Sequence, residues 1–260
     1  MPKRNTKPDA ADAADTVDTA AGNLDLPLGE IVADWTPPPR PARRAMRGTY
    51  CIVEPLSIEK HSADLFAANR RDRENRIWVY LPYGPFDTLD AYRQWLADSC
   101  LSDDPLFFSI IDRRTGRAAG VASYLRIDPA AGAIEVGHIN YAPALQRTVA
   151  ATEAMFLMME NAFALGYRRY EWKCNALNAN SRAAAARLGF TFEGVFRQAT
   201  VSKSRNRDTA WYAVIDKQWP PLRAAFQTWL SAENFDPTGA QKQSLSTLTA
   251  TALTPPPTRR

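Results

Sequence analysis

Histidine and cysteine are scarce in this chain: two histidines, His61 and His138, and three cysteines, Cys51, Cys100 and Cys174, among 260 residues. The cysteines are far apart, odd in number and outside any CxxC spacing. That excludes a disulfide framework and a structural zinc site, and leaves free buried thiols. With so few soft ligands no catalytic transition metal is expected. Long apolar runs are missing too, since none approaches the roughly 18–20 residues that cross a bilayer. The opening MPKRNTKPDA lacks the apolar stretch and small-residue cleavage site of a secretory signal, so a cytoplasmic protein is expected. Neither charge sign dominates: 32 Lys and Arg against 28 Asp and Glu leave a formal net charge of +4. That excess is too small to choose among nucleic acid, an anionic membrane surface and a phosphate-bearing cofactor.

What is present is an ordinary apolar content, 45% hydrophobic, enough for a full core. It is unevenly distributed. Residues 1–45 are rich in Ala, Asp, Thr and Pro and nearly free of aromatics before Trp35, and they read as a disordered arm. Within it TPPPRPARR is extended, because consecutive prolines donate no backbone hydrogen bonds. Arg40, Arg43 and Arg44 read as solvated linker charges, with an acidic partner as the alternative. Residues 234–260, ending TLTATALTPPPTRR, have the same low-complexity character and read as a disordered tail. One folded domain, 46–233, is expected between them.

Hydrophobic periodicity and turn signals outline that domain. Tyr50 to Leu56 predicts a strand and Ile58 to Asn69 a helix. The sequence YLPYGPF forms an irregular loop, after which Asp87 or Thr88 caps a helix through Tyr92, Trp95 and Leu96. Pro105–Asp112, Ala118–Ile127 and Ala133–Tyr141, separated by RRTGR and DPAAG, predict three successive antiparallel strands. A long helix follows from Thr148 to Leu165, ended at Gly166. Then come a strand over Tyr167–Cys174 and a short helix over Asn180–Leu188. A hairpin turning at SRNR and a closing helix over Trp219–Leu230 complete the order. A strand–helix–strand unit thus sits inside an otherwise antiparallel sheet, an α/β (α+β type) arrangement unlike the regular alternation of a doubly wound fold.

That order, together with LQRTVAATEA (145–154), NALNANSRAAAARLGF (175–190), FEGVFRQ (192–198) and RDTAWYAVID (207–216), resembles the GNAT N-acyltransferase superfamily. The closer likeness is to its RimJ/RimL-type protein N-acetyltransferase branch. It extends over about residues 46–230. The resemblance implies a central, mostly antiparallel seven-stranded sheet with helices on both faces. It also implies a V-shaped splay between the strand ending at Tyr141 and the next, where acetyl-CoA enters. The implied activity is acetyl, or short acyl, transfer from acetyl-CoA to a primary amine of a protein N-terminus or a small molecule. A catalytically degenerate acyl-CoA-binding regulatory module is the alternative. No nucleic-acid or membrane partner is expected, and the protein would be a monomer or homodimer.

The residues carrying this chemistry follow from matching motifs. A helix N-terminus offers unpaired N–H groups to a pyrophosphate. The family pattern places Gln146, Arg147, Thr148, Val149, Ala150 and Ala151 at it, with Val149 standing where the central glycine belongs. Main-chain N–H groups around Asn140 and Tyr141 would serve the oxyanion. The resemblance assigns Asn178 to the pantetheine arm and the Ser181 hydroxyl to the departing thiolate. Arg182 and Arg187 are candidates for the 3′-phosphate; Asn178 and Ser181 are equally ordinary helix-capping residues. Two side chains familiar in the family are replaced, by Ala185 and Thr200. Glu135 and His138 remain as candidate bases, with an ion pair and a core hydrogen bond as their alternatives. Strand alternation puts them on opposite faces unless a bulge intervenes. Trp78, Tyr80, Tyr83 and Phe86 are expected either to line the acceptor pocket or to pack in the core.

Overall fold

A computed structural model describes residues 27–254. Residues 27–36 fall in one compact unit and form neither helix nor strand, and the residues from Pro37 onward make up the second unit. The expected disorder of residues 1–26 and 255–260 lies outside the described residues. In the second unit an eight-stranded sheet runs β1 (Met46–Arg47), β2 (Cys51–Pro55), β3 (Leu106–Asp112), β4 (Arg117–Asp128), β5 (Ala133–Tyr141), β6 (Arg169–Asn175), β8 (Arg205–Ile215) and β7 (Thr191–Ser202). All neighbours are antiparallel except β5 and β6. One strand more than the expected seven is present, because Met46 and Arg47 add a two-residue edge to β2.

Strand alternation divides the apolar residues between two cores. On β3, Leu106, Phe108 and Ile110 enter the main core while Phe107 points into a second one. The main core is closed by α3 (Val149–Ala164), whose Ala154, Met158, Met159 and Ala162 are fully buried. Helices α4 (Ala179–Arg187) and α5 (Trp219–Leu230) also contribute to it. On the other side, α1 (Ile58–Asn69) and α2 (Leu89–Ser99) supply Leu65, Tyr92 and Leu96 to the second core. Their N-caps Ser57 and Thr88 accept the N–H groups of Lys60 and Ala91, as short hydroxyl side chains at helix starts do. His61 is buried in this layer, bonded to Glu54 at 2.8 Å.

Two stretches expected to be disordered are ordered. Pro38 and Pro41 are buried. Arg43 Nη2 donates to the carbonyls of Leu101 and Ser102 at 2.7 and 2.6 Å, and Arg40 Nη2 to that of Ile127 at 3.3 Å. These guanidiniums therefore fasten the proline segment to its own domain while staying partly exposed to solvent. At the other end TLTATAL, whose polarity suggested a tail, lies within a sixth helix, α6 (Leu245–Leu253), capped by Ser244. Leu245 and Thr249 are buried, and Thr249 Oγ1 donates to the Arg187 carbonyl at 3.2 Å. The short amphipathic stretch is marginal alone and gains its stability from packing on α4 and α5. Among the described residues no helix is long and apolar enough to cross a membrane.

Candidate functional site

The parallel strands β5 and β6 pair from Ala133↔Arg169 to Val136↔Trp172 and then part. Beyond that point Gly137–Tyr141 stay paired to β4, leaving backbone groups of β5 facing the gap. The gap is the V-shaped splay expected from the sequence. Its cause is visible in the register: β4 and β5 shift between Ser123↔Gly137 and Val121↔Asn140, and His138 adopts φ +50°. One extra residue is accommodated there as a bulge, which bends the strand away from its neighbour. The bulge also corrects the alternation argument. Val136 faces the main core, yet His138 contacts Phe107 and Tyr83 on the opposite side, the side Glu135 also faces.

At the mouth of the gap stands the N-terminus of α3. Thr148 caps it, accepting the Ala151 N–H at 3.1 Å and donating to the Leu145 carbonyl at 2.7 Å. The first-turn N–H groups of Val149 and Ala150 precede any intrahelical acceptor and point out of the helix end. The Val149 side chain packs against the main core, so the valine leaves its own N–H available. Gln146 Nε2 donates to the Tyr141 carbonyl at 2.8 Å, tying the loop to the strand it leaves, and Arg147 takes φ +60°. Tyr141 directs its ring beneath α3 and donates to the Ala151 carbonyl at 3.3 Å. Asn140 is buried with its Oδ1 unpartnered.

The far wall of the gap is β6 and the start of α4. Asn178 is the N-cap of α4, its Oδ1 accepting the Ser181 N–H at 3.1 Å. Ser181 Oγ accepts the indole N–H of Trp172 at 3.0 Å and lies beside the Cys174 thiol, which burial pushes up in pKa. Because the indole occupies one oxygen lone pair, the serine O–H is left to donate elsewhere. Arg182 is held by the Tyr212 hydroxyl at 3.2 Å on the sheet side of α4. Arg187 instead reaches α3, donating to Thr152 Oγ1 at 3.1 Å with Trp229 beneath it, and burial disfavours its charge. Ala185 is fully buried and Thr200 exposed on the edge strand.

The two candidate bases occupy different electrostatic settings. Glu135 is buried, with Arg126 Nη1 at 2.8 Å and Lys173 Nζ at 3.0 Å. Desolvation raises its pKa and the two cations oppose that rise. Lys173 also meets Glu171 at 2.7 Å and lies 3.7 Å above the Trp211 ring. His138 is pushed down to about 4, first by burial and then by the charges of Arg126 and Arg207. Its Nδ1 lies 3.2 Å from the Tyr83 hydroxyl.

The aromatic loop reaches from the second core, on which Tyr83 also packs, to the edge of the gap. Trp78 is buried in the second core, and Phe86 packs against it with its ring edge to face at 5.5 Å, which is the core-packing alternative. Tyr83 stacks on His138 at 5.7 Å, and the Tyr80 hydroxyl reaches the Leu177 carbonyl at 3.2 Å, which brings this loop to the rim of the gap. Sequence reasoning missed what holds the loop there. Lys203, at the tip of the β7–β8 hairpin, directs Nζ at the carbonyls of Trp78, Tyr83 and Gly84, at 2.9, 3.2 and 3.0 Å. A lysine in a hairpin turn reads as solvated, and only the distant loop gives it a purpose. Lys173, Arg126 and Arg207 were missed likewise, since strand charges alone do not reveal which face closes.

The comparisons agree with this geometry. The sequence profile of the acetyltransferase (GNAT) domain matches residues 51–191. A GCN5-related N-acetyltransferase from Brucella melitensis is 48% identical, covering 84% of this chain and 99% of its own, with a TM-score of 0.82. A probable acetyltransferase of the GNAT family from Chromobacterium violaceum is 42% identical over 75% of this chain and 97% of its own, with a TM-score of 0.70. The microcin C7 self-immunity acetyltransferase MccE, solved with acetyl-CoA and AMP, shares the fold at 21% identity, covering 65% of this chain and 93% of its own (TM-score 0.57). No curated protein matches the sequence. With the parted parallel strands, the helix N-terminus at their mouth and the matched domain, the chain belongs to the GNAT acetyltransferase family and is an acyltransferase.

Proposed function

We propose that the protein transfers an acetyl or other short acyl group from acetyl-CoA to a primary amine, by direct attack through a tetrahedral intermediate. The observation that carries this reading is the gap between β5 and β6, with uncapped N–H groups at its mouth and an oriented Ser181 on its far wall. The N–H groups of Val149 and Ala150 fit a pyrophosphate, and Arg187 near the same helix turn adds a cation. Backbone N–H groups of β5 around Asn140 and Tyr141 fit the developing oxyanion. The amine lone pair forms the new C–N bond and the C–S bond breaks; Ser181 O–H gives its proton to the departing thiolate and regains one, directly or through water, from the nitrogen, which loses it as the amide forms.

The amine proton needs a separate route. A histidine whose pKa is near 4 is a weak acceptor from an alkylammonium, and Glu135 is engaged by two cations. On this reading the amine is deprotonated by solvent before it attacks, and rate comes mainly from positioning. His138 and Tyr83 then form a pocket wall. Protein N-termini, as in the RimJ/RimL-type branch, are one class of acceptor, with small amines as the other.

The test is thiol release from acetyl-CoA with a panel of amines and N-terminal peptides. Acceptor-dependent release that falls about 10- to 100-fold in Ser181→Ala, with coenzyme A binding intact, supports the assignment. Coenzyme A binding without release for any acceptor favours a regulatory acyl-CoA-binding module. Failure to bind coenzyme A overturns both.

A further inference from the structure

The side of the sheet that looks away from the main core carries an unbalanced charge at the open end of the gap. On β8, Ala210, Tyr212 and Val214 enter the main core, so Arg207, Thr209 and Trp211 face the other way, with Glu135 and Lys173. Two N–H donors on this face, Arg207 Nε and Trp211 Nε1, are buried without a hydrogen-bond partner among the described residues. Buried donors left unmade are costly, and native proteins keep few of them.

The neighbouring charges can be counted. Arg126, Lys173 and Arg169 alternate with Glu135, Glu171 and Glu193 in one chain of ion pairs, three cations against three carboxylates. Arg207 pairs with none of the three. Its neighbour Asp208 is taken by the Gln198 N–H at 2.7 Å and Asn206 Nδ2 at 2.9 Å, and it feels Arg197. Arg207 is therefore left without a carboxylate partner among the described residues. Its place is specific, too: Thr209 pairs with Asn175, the last residue of β6, so Arg207 lies beyond the point where β5 and β6 have parted. Its charge acts on both His138 and Cys174, which flank the gap.

We propose that Arg207, whose Nε is buried without a partner on this face, receives an anionic group, a carboxylate or a phosphate monoester, on the body of the acceptor amine. The inference rests on the acetyl-transfer reading and narrows its substrate class to amines that carry a negative charge. The six-membered ion chain is balanced within itself, so among the described residues this guanidinium is a cation on that face with no carboxylate partner. Lys203, held only by carbonyls at the rim, adds to the same positive field. Arginine suits the role because its fork meets either oxyanion through two parallel hydrogen bonds.

Three acceptor tripeptides test it, identical except for Asp, phosphoserine or Asn at the second position. Each is used as a free amine in the thiol-release assay. Each is also used N-acetylated, as a product analogue, in calorimetric titration of the protein with coenzyme A. A preference for one or both anionic peptides over the Asn peptide, on the order of 10- to 100-fold, is expected in either assay. The Asp and phosphoserine arms tell carboxylate from phosphate. Arg207→Gln should bring the ratio near one without changing coenzyme A affinity, and Arg207→Lys should restore part of it. Equal affinity for all three peptides, or binding of none, overturns the inference even if thiol release with other amines upholds acetyl transfer. Thiol release with no amine at all overturns the reading beneath it. Should Arg207→Gln fail to fold, the wild-type ratio and the Arg207→Lys ratio still decide.

Discussion

Replacing Glu153 should destabilise this protein more than almost any other single polar change. Glu153 lies on α3, one turn past the helix start, with its side chain buried. Its carboxylate accepts three backbone N–H groups, two from the turn before β2 and one from its first residue: Thr49 at 2.7 Å, Tyr50 at 2.6 Å and Cys51 at 2.7 Å. Hydrogen bonds to a charged group contribute about 1.5–3 kcal/mol each, and three sharing one carboxylate do not add fully. Glu153→Ala leaves three donors unmet and should cost about 3–5 kcal/mol, a large share of the roughly 5–15 kcal/mol that holds a typical domain. Glu153→Gln keeps the shape, but its amide turns an N–H toward one of the donors, so about 2 kcal/mol is expected. Gly48 supplies an independent check. A Cβ there would stand 2.3 Å from both Glu153 Cδ and Oε2, so Gly48→Ala must expel the carboxylate and should resemble Glu153→Gln or worse. Urea unfolding followed by circular dichroism measures all three, with the midpoint shift read at constant m. A loss below about 1 kcal/mol for Glu153→Ala would refute the argument, since unmet buried donors cannot be that cheap.

Other expectations follow from the same contacts. His138 titrates near 4 in the fold against an ordinary 6.5, so below pH 6.5 the unfolded chain takes up a proton that the folded one refuses. Stability should therefore fall as pH drops from about 6.5 toward 4, by at most about 3 kcal/mol. His138→Gln should flatten that part of the stability–pH curve, and an unchanged slope would contradict the assignment. Lys203→Met removes the ammonium that three loop carbonyls share. The acceptor KM should rise about 10-fold while the acetyl-CoA KM holds, as expected where only the positioning of one substrate is lost. Leu245→Ala hollows the contact of α6 with α5 and should cost about 2–5 kcal/mol in a melting experiment, whereas a disordered tail would register nothing.

Much of the fold was legible from local chemistry. The helices Ile58–Asn69 and Trp219–Leu230 appear with the predicted bounds, and α3 begins immediately after Thr148, the expected start. Hydroxyl caps, glycine stops and hairpin turns act within a few residues, so the sequence displays them directly. The helix over 245–253 escaped because its propensity is weak and its partners, Arg187 and α5, are distant in sequence. The ordering of Arg40 and Arg43 escaped likewise, since their acceptors are carbonyls about 60 to 90 residues away.

The site was legible in kind and not in detail. Motif order by itself pointed to the family, and through that resemblance to the strand pair that parts and to the helix that follows it. Only the tertiary structure decided that His138 shares a face with Glu135, because a bulge cancels strand alternation there. It alone placed Trp78 inside the second core, Tyr83 between that core and His138, and Tyr80 on the Leu177 carbonyl, and found Lys203 holding their loop. The unpartnered charge of Arg207 belongs to the same class. A charge is unpartnered only relative to its neighbours, and the strand pairing that selects those neighbours joins residues far apart in the chain.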